Sequence, residues 1–273
     1  RCRCYFKRAD KLIFYNTMTL KNKRILITRP NEQADSLCKL ISNHGGVSVR
    51  FPTIKIQPIV RTDKLIKRFD EISKYDFIIF ISRNAAKITI DHFIDNIDVF
   101  IDTQIIAIGP GTAEELATRG LTDIIYPGSQ TDSKALLDLK EMQSNKIANK
   151  QILIIRGTGG RELLADSLET RGANINYVEV YKRCLPEYGE HEVGNAWHKK
   201  KPDVVVVTSN EILNNLISLL SDDKKKLFST PLVTMSERIA QRARKEGFIS
   251  KIGVAREQND DGILAGLLEL VED

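Results

Sequence analysis

Residues 23–30 read KRILITRP and residues 150–157 read KQILIIRG, two similar stretches that hold Arg29 and Arg156 at equivalent places. The offset between these two arginines recurs between FISRN at 80–84 and VTSNE at 207–211. It recurs once more between two predicted helix ends, at Gly120 and Gly247. Three markers at one spacing, which we call the repeat offset, indicate an internal duplication.

Short apolar runs alternate with helical periodicity along the whole chain. The runs at 76–81, 104–109, 203–208 and 231–235 are each followed by residues with the spacing of an amphipathic helix. This alternation is typical of βα units, because strands buried on both faces read as continuous apolar runs. It predicts an α/β fold with two similar parallel-sheet domains.

Two β-like segments, 49–58 and 174–186, are rich in β-branched and aromatic residues, and both end at proline. If they pair as a two-stranded ladder that joins the domains, the chain crosses between domains twice. The first βα unit then belongs with the C-terminal half. The alternative is a simple split at about residue 145, and the residue pattern alone favours neither.

The charge of the chain is concentrated at its beginning. Residues 1–17 carry +4 of the net charge of +5, and we interpret them as an N-terminal extension without structure. The nearly neutral remainder lacks the basic character that is typical of nucleic-acid-binding proteins. No apolar stretch reaches the roughly 18–20 residues of a membrane span. The four cysteines have no disulfide framework, so we expect free thiols in the cytoplasm.

The turn RGTGGRE at 156–162 is the most distinctive motif. Its glycines allow a close approach of the backbone to a ligand, but their spacing fits neither a dinucleotide fingerprint nor a P-loop. No histidine or cysteine cluster has the spacing of metal ligands. We therefore expect a protein that uses no cofactor and no metal.

Polar residues follow nearly every predicted strand. In a parallel sheet such residues lie where ligands bind, and free N–H groups at the following helices favour anions. Helix capping by serine, threonine or asparagine explains part of the pattern equally well, and the two roles are compatible. The pattern predicts that a small polyanion binds in a cleft between the two halves. The candidate substrate-binding residues are Arg29, Ser82, Arg83, Asn84, Arg156, Gly157, Gly159, Gly160, Arg161, Thr208, Ser209, Asn210 and Ser236.

Tyr181, at the end of the second β-like segment, is the hydroxyl that we expect to face the cleft. The alternative role for it is purely structural. Because nucleophile and general-base motifs are missing from the sequence, a reaction here has to rest on hydrogen bonding and on the conformation of the ligand.

The chain resembles the uroporphyrinogen-III synthase family, particularly its bacterial members. The resemblance is strongest at 156–184, then at VVTSNEIL (206–213) and SERIAQRARKEG (236–247). ILITRP (25–30) and ISRNAA (81–86) also fit, so that the similarity spans about residues 20–270.

The resemblance implies two α/β domains joined by a two-stranded ladder, with residues 18–53 plus 184–273 as domain 1 and residues 57–178 as domain 2. It implies a hydro-lyase of tetrapyrrole and haem biosynthesis. This enzyme cyclises hydroxymethylbilane, which bears eight carboxylates, with loss of water and inversion of ring D. Tyr181 matches the family's tyrosine, to which we assign assistance to loss of the hydroxyl. Ser82, Thr208, Ser209 and Ser236 match positions that line the family's cleft.

Other aspects of the prediction concern partners and rival functions. The resemblance implies a cytoplasmic monomer whose partner is its small-molecule substrate, with at most transient contact with the preceding enzyme and no nucleic acid or membrane. The main alternative is a two-lobed binding protein for a small polyanion, without catalysis. A nicotinamide-dependent oxidoreductase is disfavoured by the broken fingerprint at 156–162.

Overall fold

The structure is a computed structural model, and it describes residues 19–128, 132–159 and 162–272. These residues form two compact units. The first unit holds residues 19–55 and 184–272, and the second holds the described residues of 56–183. The chain therefore passes from one unit to the other twice, at Lys55 and at Arg183.

The strands and helices alternate as the sequence predicts. The strands are β1 (Arg24–Ile27), β2 (Val47–Arg50), β3 (Lys55–Pro58), β4 (Phe77–Phe80), β5 (Gln104–Ala107), β6 (Gln151–Gly157), β7 (Asn174–Cys184), β8 (Val204–Val207), β9 (Leu232–Thr234) and β10 (Ile252–Val254). The helices are α1 (Asp35–Asn43), α2 (Asp63–Asp70), α3 (Arg83–Phe93), α4 (Pro110–Ala117), α5 (Ser133–Leu137), α6 (Ser144–Ile147), α7 (Leu163–Thr170), α8 (Glu190–Val193), α9 (Asn210–Leu219), α10 (Lys224–Phe228), α11 (Glu237–Glu246) and α12 (Asp260–Glu272). A π-helical segment spans Gly194–Lys199.

The first unit is built on a five-stranded sheet in the order β10-β9-β8-β1-β2. Its paired strands run parallel, so all five carboxyl ends lie at one edge of the sheet. The four valines of β8 are buried, as a central parallel strand covered on both faces requires. The helix α1 packs Leu37 and Ile41 into the same core.

The second unit is built on a sheet in the order β3-β7-β6-β4-β5. The pairs β7–β6, β6–β4 and β4–β5 are parallel. The predicted two-stranded ladder is present, because β3 lies beside β7. The two strands form one edge of this five-stranded sheet and are not a separate element. The segment 49–58 divides, because Val49 and Arg50 belong to β2 in the first unit and only Lys55–Pro58 reaches β7.

Each of the two sheets contains strands from both repeats. At the repeat offset β1 corresponds to β6, β2 to β7, β4 to β8 and β5 to β9. The short bridge that Ile125 makes beside β5 corresponds to β10. Yet β1 pairs with β8, and β6 pairs with β4. Each sheet thus combines the opening β-α-β of one repeat with the rest of the other, which excludes a simple split at about residue 145.

The described residues contain no helix that is long and apolar enough to cross a membrane.

Candidate functional site

The candidate residues lie at the carboxyl edge of whichever sheet carries them. Parallel strands bring these ends together, and ligands bind there in sheets of this type. In the first unit they are Arg29, Thr208, Ser209, Asn210 and Ser236, and in the second unit they are Ser82, Arg83, Asn84, Arg156, Gly157, Gly159 and Tyr181. Gly160 and Arg161 lie outside the described residues.

Two of the serines are helix caps at equivalent places in the two units. Ser82 Oγ accepts a hydrogen bond from the N–H of Ala85 at 3.0 Å, and Ser209 Oγ accepts one from the N–H of Ile212 at 3.1 Å. Ser236 occupies the same position before α11, where its hydroxyl makes no capping bond within the described chain. The capping role considered from the sequence is therefore present for Ser82 and Ser209, and each hydroxyl keeps its own proton to donate.

Tyr181 lies inside the second unit, with only 3% of its surface exposed. Its phenol oxygen is 3.1 Å from Ser82 Oγ, within hydrogen-bond distance. The sheet register explains the position: Arg156 is paired with Glu179, but Gly157 is paired with Tyr181, so a β-bulge at this point inserts one residue in β7. A bulge re-aims the side chains that follow it, and here it turns Tyr181 toward Gly157.

Gly157 leaves the space that the tyrosine ring fills. A Cβ added at Gly157 would lie 2.5 Å from Cζ of Tyr181 and 2.6 Å from its Cε2, distances that real Cβ atoms do not show. Any side chain at this position would displace the ring or the strand. The glycine that the sequence suggested for close approach of a ligand thus accommodates the candidate tyrosine.

A pocket of about 170 Å³ opens beside this tyrosine in the second unit. Ser82, Arg156, Gly157, Gly159 and Tyr181 all line it, so five of the predicted residues come together. The other residues that line it are Ile81, Ser133, Ile154, Thr158, Leu164, Tyr177 and Arg183.

Arg156 is largely buried in this pocket. Its guanidinium lies 4.0 Å from the centre of the Tyr177 ring, in a cation–π arrangement. Its Nη2 is 3.6 Å from Oε1 of Glu179, which also accepts a hydrogen bond from the N–H of Gly159. Burial raises the pKa of Tyr177, and the positive charge of Arg156 opposes this rise. The phenol of Tyr177 therefore stays neutral and presents its ring face to the cation.

Arg83 and Asn84 follow Ser82 in the first turn of α3, outside the pocket lining. Arg83 is exposed and pairs with Glu114 at 3.2 Å. Its guanidinium lies against Gly111 in the first turn of α4, where a Cβ would collide with it. Asn84 is half-buried. Arg83 thus lies at the same sheet edge as the pocket, but with a counter-ion of its own.

Arg29 has a different environment from its counterpart Arg156. Its side chain is 9% exposed, and its Nη1 donates to Oδ1 of Asp260 at 2.7 Å and to the carbonyl oxygen of Gln33 at 3.1 Å. A carboxylate of the protein thus holds the arginine that we expected to meet a ligand. At the same sheet edge, half-buried Asn210 keeps a buried Oδ1 that has no hydrogen-bond partner in the described part of the chain.

The sequence did not point to five further residues that shape these two edges: Ser133, Tyr177, Glu179, Arg183 and Asp260. A signal existed for one pair, because Ser133 and Asp260 are separated by the repeat offset and both begin helices. Among the described residues, no three histidine, cysteine or acidic side chains are grouped as metal ligands would be.

Comparison with known proteins identifies the family. The family model described as "Uroporphyrinogen-III synthase HemD" matches residues 35–265. The uroporphyrinogen-III synthase of Escherichia coli is 33% identical over 258 residues, which is 89% of this chain and 99% of that protein. The uroporphyrinogen-III synthase of Salmonella typhimurium is 35% identical over 246 residues, with the same coverage.

Solved structures have the same fold. The uroporphyrinogen-III synthetase of Helicobacter pylori aligns with a TM-score of 0.63 at 13% identity, covering 91% of this chain and 99% of that one. A mutant uroporphyrinogen III synthase of Thermus thermophilus aligns with a TM-score of 0.55 at 13% identity, covering 92% and 99%. These matches confirm the predicted α/β fold with two parallel sheets, and the family match confirms the resemblance that the sequence motifs indicated. The chain belongs to the uroporphyrinogen-III synthase family.

Proposed function

We propose that the protein is a hydro-lyase that converts hydroxymethylbilane into uroporphyrinogen III, with loss of water and inversion of ring D, in tetrapyrrole and haem biosynthesis. The observation that carries this proposal is the Tyr181–Ser82 hydroxyl pair beside a pocket, in a chain of which residues 35–265 match the family model. A binding protein without catalysis, the alternative left open by the two-lobed pattern, receives no support from the relatives, which are named as synthases.

The hydroxyl pair suits assistance to a leaving hydroxyl group. Ser82 Oγ already accepts the N–H of Ala85, so its own proton is available for the phenol oxygen of Tyr181. With that arrangement the phenol proton is free to be donated to the hydroxyl that leaves ring A as water. The azafulvene left behind is reactive by itself. Tyr181 therefore lowers the cost of the departing charge, and the protein otherwise has to hold the bilane in one conformation.

The residues at the two sheet edges are the proposed contacts for a substrate with eight carboxylates. In the second unit they are Ser82, Arg83, Asn84, Arg156, Gly157 and Gly159, with Gly160 and Arg161 beyond the described residues. In the first unit they are Thr208, Ser209, Asn210 and Ser236. Arg29 belongs to the same proposed set: Asp260 binds its Nη1, and its buried Nε and Nη2 have no hydrogen-bond partner among the described residues. Serine and threonine hydroxyls and backbone N–H groups suit carboxylates, since all of them donate hydrogen bonds.

The same proposal extends to the state of the protein. It acts as a cytoplasmic monomer that needs no cofactor, with residues 18–53 plus 184–273 as domain 1 and residues 57–178 as domain 2. The division of the chain into two compact units near these bounds supports this proposal. Activity should accordingly survive dialysis against a chelator.

The test supplies the protein with freshly made hydroxymethylbilane and separates the products after oxidation to porphyrins. Without control of conformation the bilane closes to isomer I, the uninverted product, so a reaction without protein gives the baseline. We expect mainly isomer III with the protein present. Isomer I at the baseline proportion, with folded protein in the reaction, would contradict the proposal.

A further inference from the structure

We infer that Arg156 and the pocket beside it form a subsite for one carboxylate side chain of the substrate, in the place that Asp260 occupies in the first unit. This inference rests on the proposed function, which supplies a ligand rich in carboxylates. Its origin is the internal repeat, because the repeat offset relates Arg156 to Arg29 and Ser133 to Asp260.

The first unit shows how the fold places a carboxylate on an arginine at this position, while Nε and Nη2 of Arg29 stay buried without a hydrogen-bond partner among the described residues. Arg29 follows β1 and lies beside the first turn of α12, from which Asp260 reaches its Nη1 at 2.7 Å. The pair is well shielded, since the two side chains are only 9% and 20% exposed. In the first unit, a carboxylate of the protein beside the arginine is thus the stable arrangement.

The second unit keeps the arginine and lacks that carboxylate. Ser133, at the start of α5, stands where Asp260 stands in the first unit, and Ser133 and Arg156 both line the pocket of about 170 Å³. One molecule of liquid water takes roughly 30 Å³, so the space suits a carboxymethyl group together with a few waters. Because serine is shorter than aspartate, Ser133 leaves open the part of the pocket that an aspartate side chain would fill.

Arg156 is oriented for such a ligand. Its Cζ lies over the Tyr177 ring, 4.0 Å from the ring centre, and the ring cannot accept the N–H groups at the rim of the guanidinium as a carboxylate would. Its Nε is buried and has no hydrogen-bond partner among the described residues. Arg29 also keeps buried donors without partners, so what distinguishes Arg156 is the open pocket beside it, which provides room for an acceptor.

Glu179 is the group with which the ligand competes. Its Oε1 is 3.6 Å from Arg156 Nη2, longer than a hydrogen bond, and its side chain is 36% exposed. It also accepts the N–H of Gly159 at 3.1 Å. Two carboxylates on one arginine repel each other, so the substrate carboxylate takes the arginine and Glu179 turns toward solvent.

The decisive experiment restores the carboxylate of the first unit to the second. Ser133→Asp should place a carboxylate on Arg156, and Ser133→Asn is the matched control of equal size without charge. Losing one charge-assisted pair with the substrate corresponds to an increase of about 10- to 100-fold in KM for hydroxymethylbilane. We expect this increase for Ser133→Asp, with kcat changed much less and with a melting temperature above that of Ser133→Asn. Equal KM values for the two variants would overturn the subsite.

Glu179→Gln supplies an independent test that does not depend on the folding of the aspartate variant. The amide still accepts the Gly159 N–H but no longer competes as an anion, so KM should fall several-fold below that of the unmodified protein. An unchanged or raised KM would contradict the role of Glu179. Failure of the proposed function is recognised separately, because the unmodified protein would then give isomer I as its main product.

Discussion

The two units share four corresponding strands in the same sheet order, and they differ at the carboxyl edges of their sheets. In the second unit the sheet edge carries Tyr181 beside Gly157 and an open pocket. Their counterparts in the first unit, at the repeat offset, are Ile54, which is buried, and Pro30. The capping serines, Ser82 and Ser209, are alike in the two units, but of the two it is Ser82 that has a phenol within reach in the described structure.

This difference shows which features the two repeats share and which features distinguish the two units. Both repeats keep the capping serine, four strands and an arginine near the carboxyl end of the first strand. The caps satisfy backbone N–H groups, and the strands form the cores. Three of the differences lie at the carboxyl edges of the sheets: isoleucine to tyrosine, proline to glycine, and aspartate to serine. In the first unit Asp260 forms an ion pair with the arginine, whereas in the second unit the pocket beside the arginine is open.

The largest expected effect concerns the ion pair of the first unit. Asp260→Ala should lower the free energy of unfolding by about 3 kcal/mol, because it leaves Arg29 buried without its counter-ion. Asp261→Ala is the control, since Asp261 lies in the same first turn and is exposed. Chemical denaturation of both variants checks the prediction. Equal losses would show that Arg29 does not depend on Asp260.

The next effect concerns the glycine under the tyrosine. Gly157→Ala introduces a Cβ that collides with the Tyr181 ring, so the phenol moves and turnover of hydroxymethylbilane should fall at least ten-fold. Overpacking of this kind costs about 1–3 kcal/mol in stability. Gly128→Ala is the control, because a Cβ there meets nothing within 4 Å among the described residues. Unimpaired turnover of the Gly157 variant would show that the position of the ring is unimportant.

A smaller effect distinguishes the cap function of Ser82 from its contact with Tyr181. Ser82→Ala and Thr62→Ala each remove a helix cap in the second unit, at a cost of about 1 kcal/mol in stability. The first should also lower kcat, because Ser82 lies within hydrogen-bond distance of the phenol. Denaturation curves and initial rates of the two variants give the comparison. A similar kcat for both variants would show that Ser82 acts only as a helix cap.

The smallest effect concerns a structural tyrosine of the first unit. Tyr188 stacks on Phe51 at 4.8 Å and donates to the carbonyl of Pro52, and burial together with the charge of Glu192 raises its pKa to about 12. The unfolded chain releases this proton near pH 10. Stability should therefore fall between about pH 10 and pH 12, and less steeply in Tyr188→Phe. Melting curves across that range check it, and identical slopes would contradict it.

Much of the fold is predictable because its signals are local. Apolar runs and helical spacing locate the strands and helices, and the repeat offset indicates two similar sheets. The exchange of β1 and β6 between repeats is not local, since either pairing buries the same faces of the same strands. The limits of β2 and β3 within 49–58 follow from that exchange.

The site divides in the same way. Caps follow from a serine before an amphipathic helix, so Ser82 and Ser209 were accessible to sequence reasoning. The burial of Tyr181 depends on a bulge in β7 that shifts the register by one residue, and no residue pattern predicts this bulge. The ion pair of Arg29 with Asp260 joins two residues that are far apart in the sequence, so no local pattern predicts it.

The most direct test of the account is the rate and product of Tyr181→Phe with hydroxymethylbilane. The variant keeps the ring against Gly157 and removes only the hydroxyl that lies 3.1 Å from Ser82. Loss of one well-placed donor costs at most about 10²–10³ in rate. We predict clearly reduced turnover, stability within about 1 kcal/mol of the unmodified protein, and mainly isomer III as product. Equal turnover would remove Tyr181 from the mechanism, and a collapse in stability would make it a structural tyrosine.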